Sequence, residues 1–361
     1  MNKSSHYAIA IFNRDTINNF IKQNQKDIQK KTPEPKTINR KSYGYVGHEI
    51  TAVIAQRFLT PEARKNVQLL LPKEAKGDLS FIASWADRIK YTPEYKFTSR
   101  MHFINSRNDN PPNQCSAMYI PGRVDLLNAI HNYTNRLDPN NDLAFWPRAE
   151  ALRFLVHFIG DLHQPLHATG KLNGGNGAKA IFEGHKTNLH FIWDSRLINK
   201  HIRELNQTFS NDDQNITNGG RFYDPYVRNI LRLMKSVWKK EVSEWIVCNK
   251  VAYSFEKETQ ELFNFNTFDN NRNNNKQIHL GLNSQEAYSS LEKQYPSVSC
   301  PEIWVIPINK LNCQIVWNGY KPEIELDEGE YYERIKQTKI VEKLLAVGGI
   351  RIAAVLNSLL G

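Results

Sequence analysis

Two histidine–aspartate pairs with the same spacing are the residues of this chain best suited to chemistry. His157 and Asp161 lie four residues apart in the apolar stretch EALRFLVHFIGDLHQPLH, and His190 and Asp194 repeat the spacing in NLHFIWD. Residues i and i+4 share one face of a helix, so each pair can direct an imidazole and a carboxylate toward one point. His167 follows the first pair, just beyond a proline. The pattern predicts helices that hold a metal ion between them.

Other histidines and aspartates in apolar surroundings extend this set. A single buried histidine is more often a core residue than a ligand, and one i,i+4 pair also stabilises an ordinary helix. A buried carboxylate, however, is costly unless it is paired or bound to metal, and two such pairs with three further residues are hard to explain as packing. The candidate metal-site residues are Tyr43, His48, Asp87, His102, His157, Asp161, His167, His190 and Asp194.

The donor types indicate which metal and how many ions. Imidazole and carboxylate ligands without cysteine are typical of zinc in a catalytic role. Eight such side chains exceed the needs of one tetrahedral ion, so two or three ions are expected. Three aspartates neutralise only half the charge of three zinc ions. The site would therefore stay cationic and suit an anionic substrate such as phosphate.

Helices must position these side chains, and the chain is mainly helical by pattern. HEITAVIAQRFL, LSFIASWADRIKY and VDLLNAIHNYTNRL have apolar residues at helical spacing, and EALRFLVHFIGDLHQ predicts a buried central helix. The glycine-rich residues 170–186 predict a loop with a short hairpin. The C-terminal stretch predicts one long helix interrupted at Gly348-Gly349, whereas residues 295–322 fit no single element. No apolar run is expected to span a membrane.

Charge separates a leader from the rest of the chain. Residues 1–42 carry nine Lys/Arg and three Asp/Glu, a net +6 of the +10 for all 361 residues. This segment is predicted to be disordered, as a solvated tail or an arm for nucleic acid. It has no clear signal peptide. Residues 43–361 are predicted to form one domain, in which 260–325, with an asparagine-rich insertion, are poorly defined.

Cysteines and glycosylation acceptors bear on the compartment. Cys115, Cys248, Cys300 and Cys313 contain no C-x-x-C pair, and their even number permits two disulfides. Acceptor sequences for N-glycosylation occur at Asn2, Asn132, Asn206 and Asn215. Both features favour secretion.

The ordered motifs YGYVGHEI, SWADRIK, MHFIN, EALRFLVHFIGDLHQPLH and GGN…NLHFIWD resemble a known family. They are similar to the motifs of the zinc-dependent single-strand nucleases and 3′-nucleotidases of nuclease S-one and P-one type. The resemblance implies an all-α fold like that of bacterial zinc phospholipase C, with a small β-hairpin and long loops. It also implies a disulfide between Cys115 and Cys248, and a glycosylation site at Asn132.

The resemblance implies a ligand set for three zinc ions. Asp87, His102, His157 and Asp161 would hold the first ion, and His167, His190 and Asp194 the second. The third would use His48, Asp161 as a bridge, and the amine and carbonyl of an N-terminal residue. That residue is a processed tryptophan in the family, whereas this chain has Tyr43 behind 42 residues. The third ion therefore requires removal of the leader before Tyr43.

The implied reaction is hydrolysis of phosphodiester bonds of single-stranded DNA and RNA, with possible 3′-nucleotidase activity, by attack of a metal-bridging hydroxide on phosphorus. Asp87 would orient the hydroxide and Lys90 would neutralise charge on the phosphate; alternatively, Lys90 is a solvated helix residue. Phe103 would stack on an unpaired base, or is simply a core residue. Asn105 stands where some members carry an aspartate that contacts the base.

Two other functions fit the same residues. One is a zinc phospholipase C-like phosphoesterase, and the other is a zinc-binding protein whose catalysis is impaired because the N-terminal ligand is blocked. The nuclease interpretation predicts a secreted monomer whose partners are single-stranded nucleic acids and nucleotides.

Overall fold

A computed structural model describes residues 45–119, 124–141, 143–209, 221–248 and 298–361. These residues are mostly helical with one two-stranded sheet, which confirms the predicted all-α class with a small hairpin. The α-helices are α1 (Val46–Arg57), α2 (Pro61–Leu70), α3 (Trp85–Ile89), α4 (Leu126–Leu137), α5 (Phe145–Leu162), α6 (Leu189–Phe191), α7 (Leu197–Phe209), α8 (Asp224–Lys235), α9 (Pro301–Leu311), α10 (Gly329–Thr338) and α11 (Ile340–Leu360). The 3₁₀ helices are Lys73–Ala75, Leu79–Ile82, Lys96–His102 and Pro165–Ala168, and the π-helical segments are Ile192–Arg196 and Asn312–Val316.

Helix α5 is the central helix that the sequence predicts. Its side chains from Ala151 to Ile159 are buried all round the helix, as expected of a helix without a polar face. It packs against α4, α11 and α1. The pair His157 and Asp161 therefore lies in the interior, on the last two turns of α5.

The predicted interruption at Gly348-Gly349 is wrong, because α11 runs through both glycines. A Cβ atom at Gly349 would lie 2.6 Å from Ile54 Cγ2 of α1. The glycines therefore allow two helices to pack closely. The helical run breaks instead at Lys339, whose φ of 51° is left-handed and separates α10 from α11.

Helix α11 bears on the expectation that no apolar run spans a membrane. By length and composition it could cross a bilayer, although no apolar run was expected to do so. In the folded protein, 78% of the most apolar 18-residue stretch of this helix is buried, which is typical of a core helix. Its charged side chains are paired: Glu342 Oε1 accepts from Tyr226, and Lys343 Nζ donates to Glu241 Oε2 at 2.6 Å.

The stretch LSFIASWADRIKY is two short helices rather than one. The 3₁₀ helix Leu79–Ile82 is capped by Asp78, whose carboxylate accepts from the Ser80 amide at 3.1 Å, and α3 begins only at Trp85. The break between them lets the Ala83 carbonyl accept a hydrogen bond from His157 Nδ1 at 2.8 Å. The break between these two helices therefore helps to orient the His157 ring.

The predicted hairpin is present in the glycine-rich region. Strands β1 (Lys179–Phe182) and β2 (His185–Asn188) pair antiparallel, with Phe182 opposite His185. The two-residue turn between them has positive φ at Glu183 (51°) and Gly184 (71°), as in the tight turns that match strand twist. The ambiguous region 295–322 contains α9 and the second π-helical segment.

Two disulfides are present, as the even cysteine count permits, but the implied pairing of Cys115 with Cys248 is wrong. Cys115 joins Cys313, and Cys248 joins Cys300. The Cα–Cα distances are 5.9 and 5.7 Å, within the range that a disulfide needs. The loop with Cys115 packs on the end of α9, which explains its partner. The leader, Tyr43 and the asparagine-rich insertion lie outside the described residues.

Candidate metal centre

Eight predicted side chains converge at one cavity of about 550 Å³: seven of them line it, and His157 lies buried directly behind them. They come from α1, α3, the 3₁₀ helix Lys96–His102, α5, the 3₁₀ helix Pro165–Ala168 and the segment after β2. Their donor atoms form three groups in which all atoms lie within 4.8 Å of one another: His48, His157 and Asp161; Asp87, His102 and His157; and His167, His190 and Asp194. The structure thus brings together residues that are up to 146 positions apart in the chain, from His48 to Asp194.

Asp161 belongs to the first group and also contacts His102 of the second. Its Oδ2 is 3.0 Å from His102 Nδ1 and 3.2 Å from His157 Nε2, while its Oδ1 is 3.3 Å from His48 Nε2. Asp87 Oδ1 is 3.5 Å from both His102 Nδ1 and His157 Nε2. One carboxylate therefore faces imidazoles on both of its oxygens, as a bridging ligand requires.

The third group is built around Asp194. His190 Nε2 lies 3.0 Å from Asp194 Oδ2, and His167 Nε2 lies 3.4 Å from Asp194 Oδ1. The two rings are stacked, with centroids 5.0 Å apart. Because His167 Nδ1 also lies 3.4 Å from Asp161 Oδ1, this group adjoins the others in the same cavity.

Backbone carbonyls fix the orientation of three imidazoles. His157 Nδ1 donates to Ala83, His167 Nδ1 to His102, and His190 Nδ1 to Gly174, at 2.7–2.8 Å. In a neutral ring the opposite Nε2 then carries the free lone pair. Such carbonyl partners are typical of metal-binding histidines.

The donor set fits a cation. His157 Nε2 lies 3.1 Å from His102 Nδ1, beside the ionised Asp161. His167 Nε2 is buried, and although Asp194 Oδ1 lies 3.4 Å away, this nitrogen makes no well-aligned hydrogen bond among the described residues. Nitrogen lone pairs and carboxylate oxygens that converge in this way need positive charge between them, which a metal ion can supply.

The pKa shifts show how strongly these groups interact. Burial alone would raise the pKa of Asp161, but His157 and His167 outweigh it and hold this pKa well below its usual range. Burial likewise opposes charge on His157, yet Asp161 and Asp87 raise its pKa to about 10. Burial lowers the pKa of His102 to about 4, despite Asp161. Without metal, protonated His157 provides part of the charge that balances the carboxylates.

A glycine sets the distance between α1 and α5 at the site. A Cβ atom on Gly160 would lie 2.7 Å from His48 Nδ1. The missing side chain lets the His48 ring stack on His157 at 4.0 Å and reach Asp161. Sequence reasoning missed this role, although Gly160 directly precedes Asp161.

Three amide side chains that the sequence analysis did not single out also support the site. Gln164 Nε2 donates to Asp194 Oδ1 at 2.6 Å, and its Oε1 accepts from the Leu166 amide. Asn309 and Asn312 donate to the carbonyls of Ala168 and Pro165, at either end of the turn that carries His167. Of these three residues, only Gln164 could have been found from the sequence, because it lies between the predicted ligands Asp161 and His167.

The predicted substrate residues lie at the same cavity. Lys90 Nζ donates to Asp87 Oδ1 at 2.7 Å, so it is paired rather than solvated. Phe103 is 40% exposed and Asn105 is exposed, and both line the cavity. Phe103 is therefore not a core residue. Tyr43 lies outside the described residues, but Tyr45, two positions later, lines the cavity.

Comparison with known proteins gives a consistent result. A family model described as S1/P1 Nuclease matches residues 43–281. Endonuclease 2 of Arabidopsis thaliana is 30% identical over 336 residues, which cover 90% of this chain and 92% of that protein. Nuclease P1 of Penicillium citrinum is 40% identical over 163 residues, 44% of this chain and 60% of that protein. Nuclease S1 of Aspergillus oryzae is 40% identical over 160 residues, 43% of this chain and 54% of that protein.

Proposed function

The chain belongs to the S1/P1 nuclease family, and from that premise we propose that it is a zinc-dependent endonuclease for single-stranded DNA and RNA that also hydrolyses 3′-nucleotides. The observation that carries the proposal is the convergence of eight His and Asp side chains, seven of which line one cavity beside an exposed Phe103. That aromatic ring and the nuclease relatives favour nucleotides over lipid headgroups.

Three zinc ions are proposed, one for each group of donors. Imidazole and carboxylate donors without cysteine support zinc over softer or harder ions. Asp87, His102, His157 and Asp161 would hold the first ion, His167, His190 and Asp194 the second, and His48 with Asp161 and Tyr43 the third. The ions would lower the pKa of water and neutralise phosphate charge, which is the chemistry that hydrolysis at neutral pH needs.

The side chains of this protein would orient the reactants around those ions. Asp87 Oδ1 accepts from Lys90 and faces two imidazoles, so its carboxylate is fixed and held ionised. It would accept a hydrogen bond from the attacking hydroxide and aim that hydroxide at phosphorus. The ammonium of Lys90 is kept at the cavity by this pair, where it would contact a phosphate oxygen as negative charge develops.

Phe103 and Asn105 would select unpaired bases. Stacking of a base on an aromatic ring is worth about 1–3 kcal/mol and tolerates any sequence. A duplex hides its base faces, and its phosphates cannot reach buried donors without unpairing. The carboxamide of Asn105 would donate to or accept from a base edge, so its preference among bases would differ from that of an aspartate.

Tyr43 is proposed as the residue that completes the third zinc site after the leader is removed. The family match begins at residue 43, and Tyr45 lines the cavity two positions later.

Two disulfides support an oxidising, secretory compartment. All eight donors come from one chain, which supports an active monomer. Amides of α9 and the following segment support the turn with His167, so residues 43–361 are proposed to act as one domain.

The test is to produce the chain starting at Tyr43, with the full-length chain and a chain starting at Gly44 as matched controls. We expect three zinc ions and rapid cleavage of denatured DNA from the first, with fewer ions and slower cleavage from both controls. Duplex DNA should be a poor substrate. A zinc-loaded protein that fails to cleave denatured DNA would show the proposed function to be wrong. Equal activity of the full-length chain would show that the Tyr43 amine is dispensable.

A further inference from the structure

Phe191 is an exposed aromatic ring that lines the cavity, as Phe103 and Tyr91 do. Its side chain is 37% exposed although α6 and the segment after it supply the buried residues Leu189, Ile192 and Trp193. Single exposed apolar residues are common on protein surfaces, so the position of this ring at the cavity, rather than its exposure, indicates a role. Phe191 directly follows His190 in the chain, as Phe103 follows His102. The two rings therefore adjoin different donor groups of the centre.

The π-helical segment after α6 places a cation against this ring. In a π-helix the repeat is i to i+5, so residue 196 returns above residue 191. The Arg196 guanidinium carbon lies 5.4 Å from the centre of the Phe191 ring. Within the part of the chain that the structure describes, no carboxylate lies within 4.0 Å of the Arg196 guanidinium nitrogens. The positive charge is therefore not neutralised by a neighbouring acid.

We propose that Phe191 and Arg196 form a second nucleotide subsite, which binds the nucleotide on the other side of the scissile phosphate from Phe103. A base of single-stranded DNA or RNA stacks on Phe191, and the Arg196 guanidinium contacts a neighbouring phosphate. This inference rests on the proposed nuclease function. It predicts that the enzyme binds an oligonucleotide through two stacked bases, whereas a 3′-mononucleotide offers only one.

The π-helical turn explains how one short segment serves both metal and substrate. His190 and Asp194 belong to the donor group, and Trp193 is buried and donates to Tyr331 at 3.0 Å. Phe191 lines the cavity, and Arg196 lies against the Phe191 ring. A regular α-helix would rotate residue 196 well away from residue 191. The irregular segment is therefore what brings ring and cation together.

The test compares Phe191→Ala and Phe191→Tyr with Phe222→Ala, which removes a ring that is 55% exposed and does not line the cavity. Loss of one stacked base weakens binding about 5- to 150-fold. We expect Phe191→Ala to raise KM for a thymidine hexanucleotide by that factor with kcat retained, and Phe191→Tyr to behave as the parent protein. The KM for a 3′-mononucleotide should not change. The Kd for a phosphorothioate hexanucleotide, from fluorescence anisotropy, should rise with KM.

Arg196→Gln tests the cation in the same assays. It should weaken hexanucleotide binding and flatten its dependence on salt, because one phosphate contact is lost. Equal losses on hexanucleotide and mononucleotide in Phe191→Ala would show that the ring only supports His190 and would overturn the inference. So would a Kd equal to that of Phe222→Ala. A parent protein that cleaves neither substrate would instead contradict the proposed function itself.

Discussion

Replacing Gly160 with alanine should remove one metal ion without unfolding the protein. The new Cβ would lie 2.7 Å from His48 Nδ1, whereas ordinary contacts begin at 3.4 Å, so the ring must move by about 0.7 Å. Metal–ligand distances tolerate only about 0.2 Å. His48 should therefore leave the group that it forms with His157 and Asp161. The other two groups do not contain His48 and should keep their ions.

The cost to stability should be small. Alanine gains about 1 kcal/mol over glycine in a helix interior, whereas overpacking costs about 1–3 kcal/mol. The free energy of unfolding should thus fall by about 0–2 kcal/mol. Elemental analysis of the purified protein gives the number of ions, and chemical denaturation in chelator gives the stability. Retention of every ion with full activity would refute the geometry from which this prediction is derived.

Gly348→Ala is the matched control for Gly160→Ala. Its Cβ would lie 3.3 Å from His163 Cγ and Thr51 Cγ2, so it crowds the same helix layer without touching any of the eight donors. We expect it to lower stability but to leave the metal count unchanged. Loss of metal in both variants would mean that general loosening of the core, rather than displacement of His48, explains the effect.

Three further predictions follow from individual contacts. Asp161→Asn should lose metal and activity together, because its two oxygens face imidazoles of different groups; unchanged metal content would exclude a bridge. Gln164→Ala removes the hydrogen bond to Asp194 and should weaken metal binding about 10–100-fold in chelator competition; unchanged affinity would limit Gln164 to a local role. Burial raises the pKa of Glu342, but His201 outweighs it and lowers this pKa overall. Glu342→Gln should therefore lose about 1–3 kcal/mol of stability at neutral pH and progressively less below about pH 4.5; a constant difference between pH 7 and pH 3 would contradict this.

The residues that could be predicted from the sequence are those whose signal is local. The spacing of His157 from Asp161, and of His190 from Asp194, follows from one helical turn and places each pair on one face. Helix α5 could be predicted because its apolar residues leave no polar face. The two-residue turn at Gly184 could likewise be predicted, because glycine readily adopts the positive φ that this turn requires.

What could not be predicted depends on packing between distant segments. Gly348 and Gly349 look like a helix break in the sequence, yet both lie within α11. They are glycines because α1 packs too closely there to leave room for side chains. Four cysteines allow three pairings, and only the position of α9 beside the loop with Cys115 selects Cys313. Phe191 carries no signal of exposure in NLHFIWD, since its neighbours are apolar and the π-helical turn is not visible in the sequence.

Metal binding at this centre should be coupled to the release of a proton. Asp161 is 2% exposed and surrounded by imidazoles, and a buried carboxylate is tolerated only with compensating positive charge. Without metal, that charge must come from a protonated ring such as His157, which cannot donate a lone pair at the same time. Metal binding therefore displaces a proton from the interior. Acid should thus release the ions before it unfolds α5, because the apolar packing of that helix does not depend on the charge of its last turn.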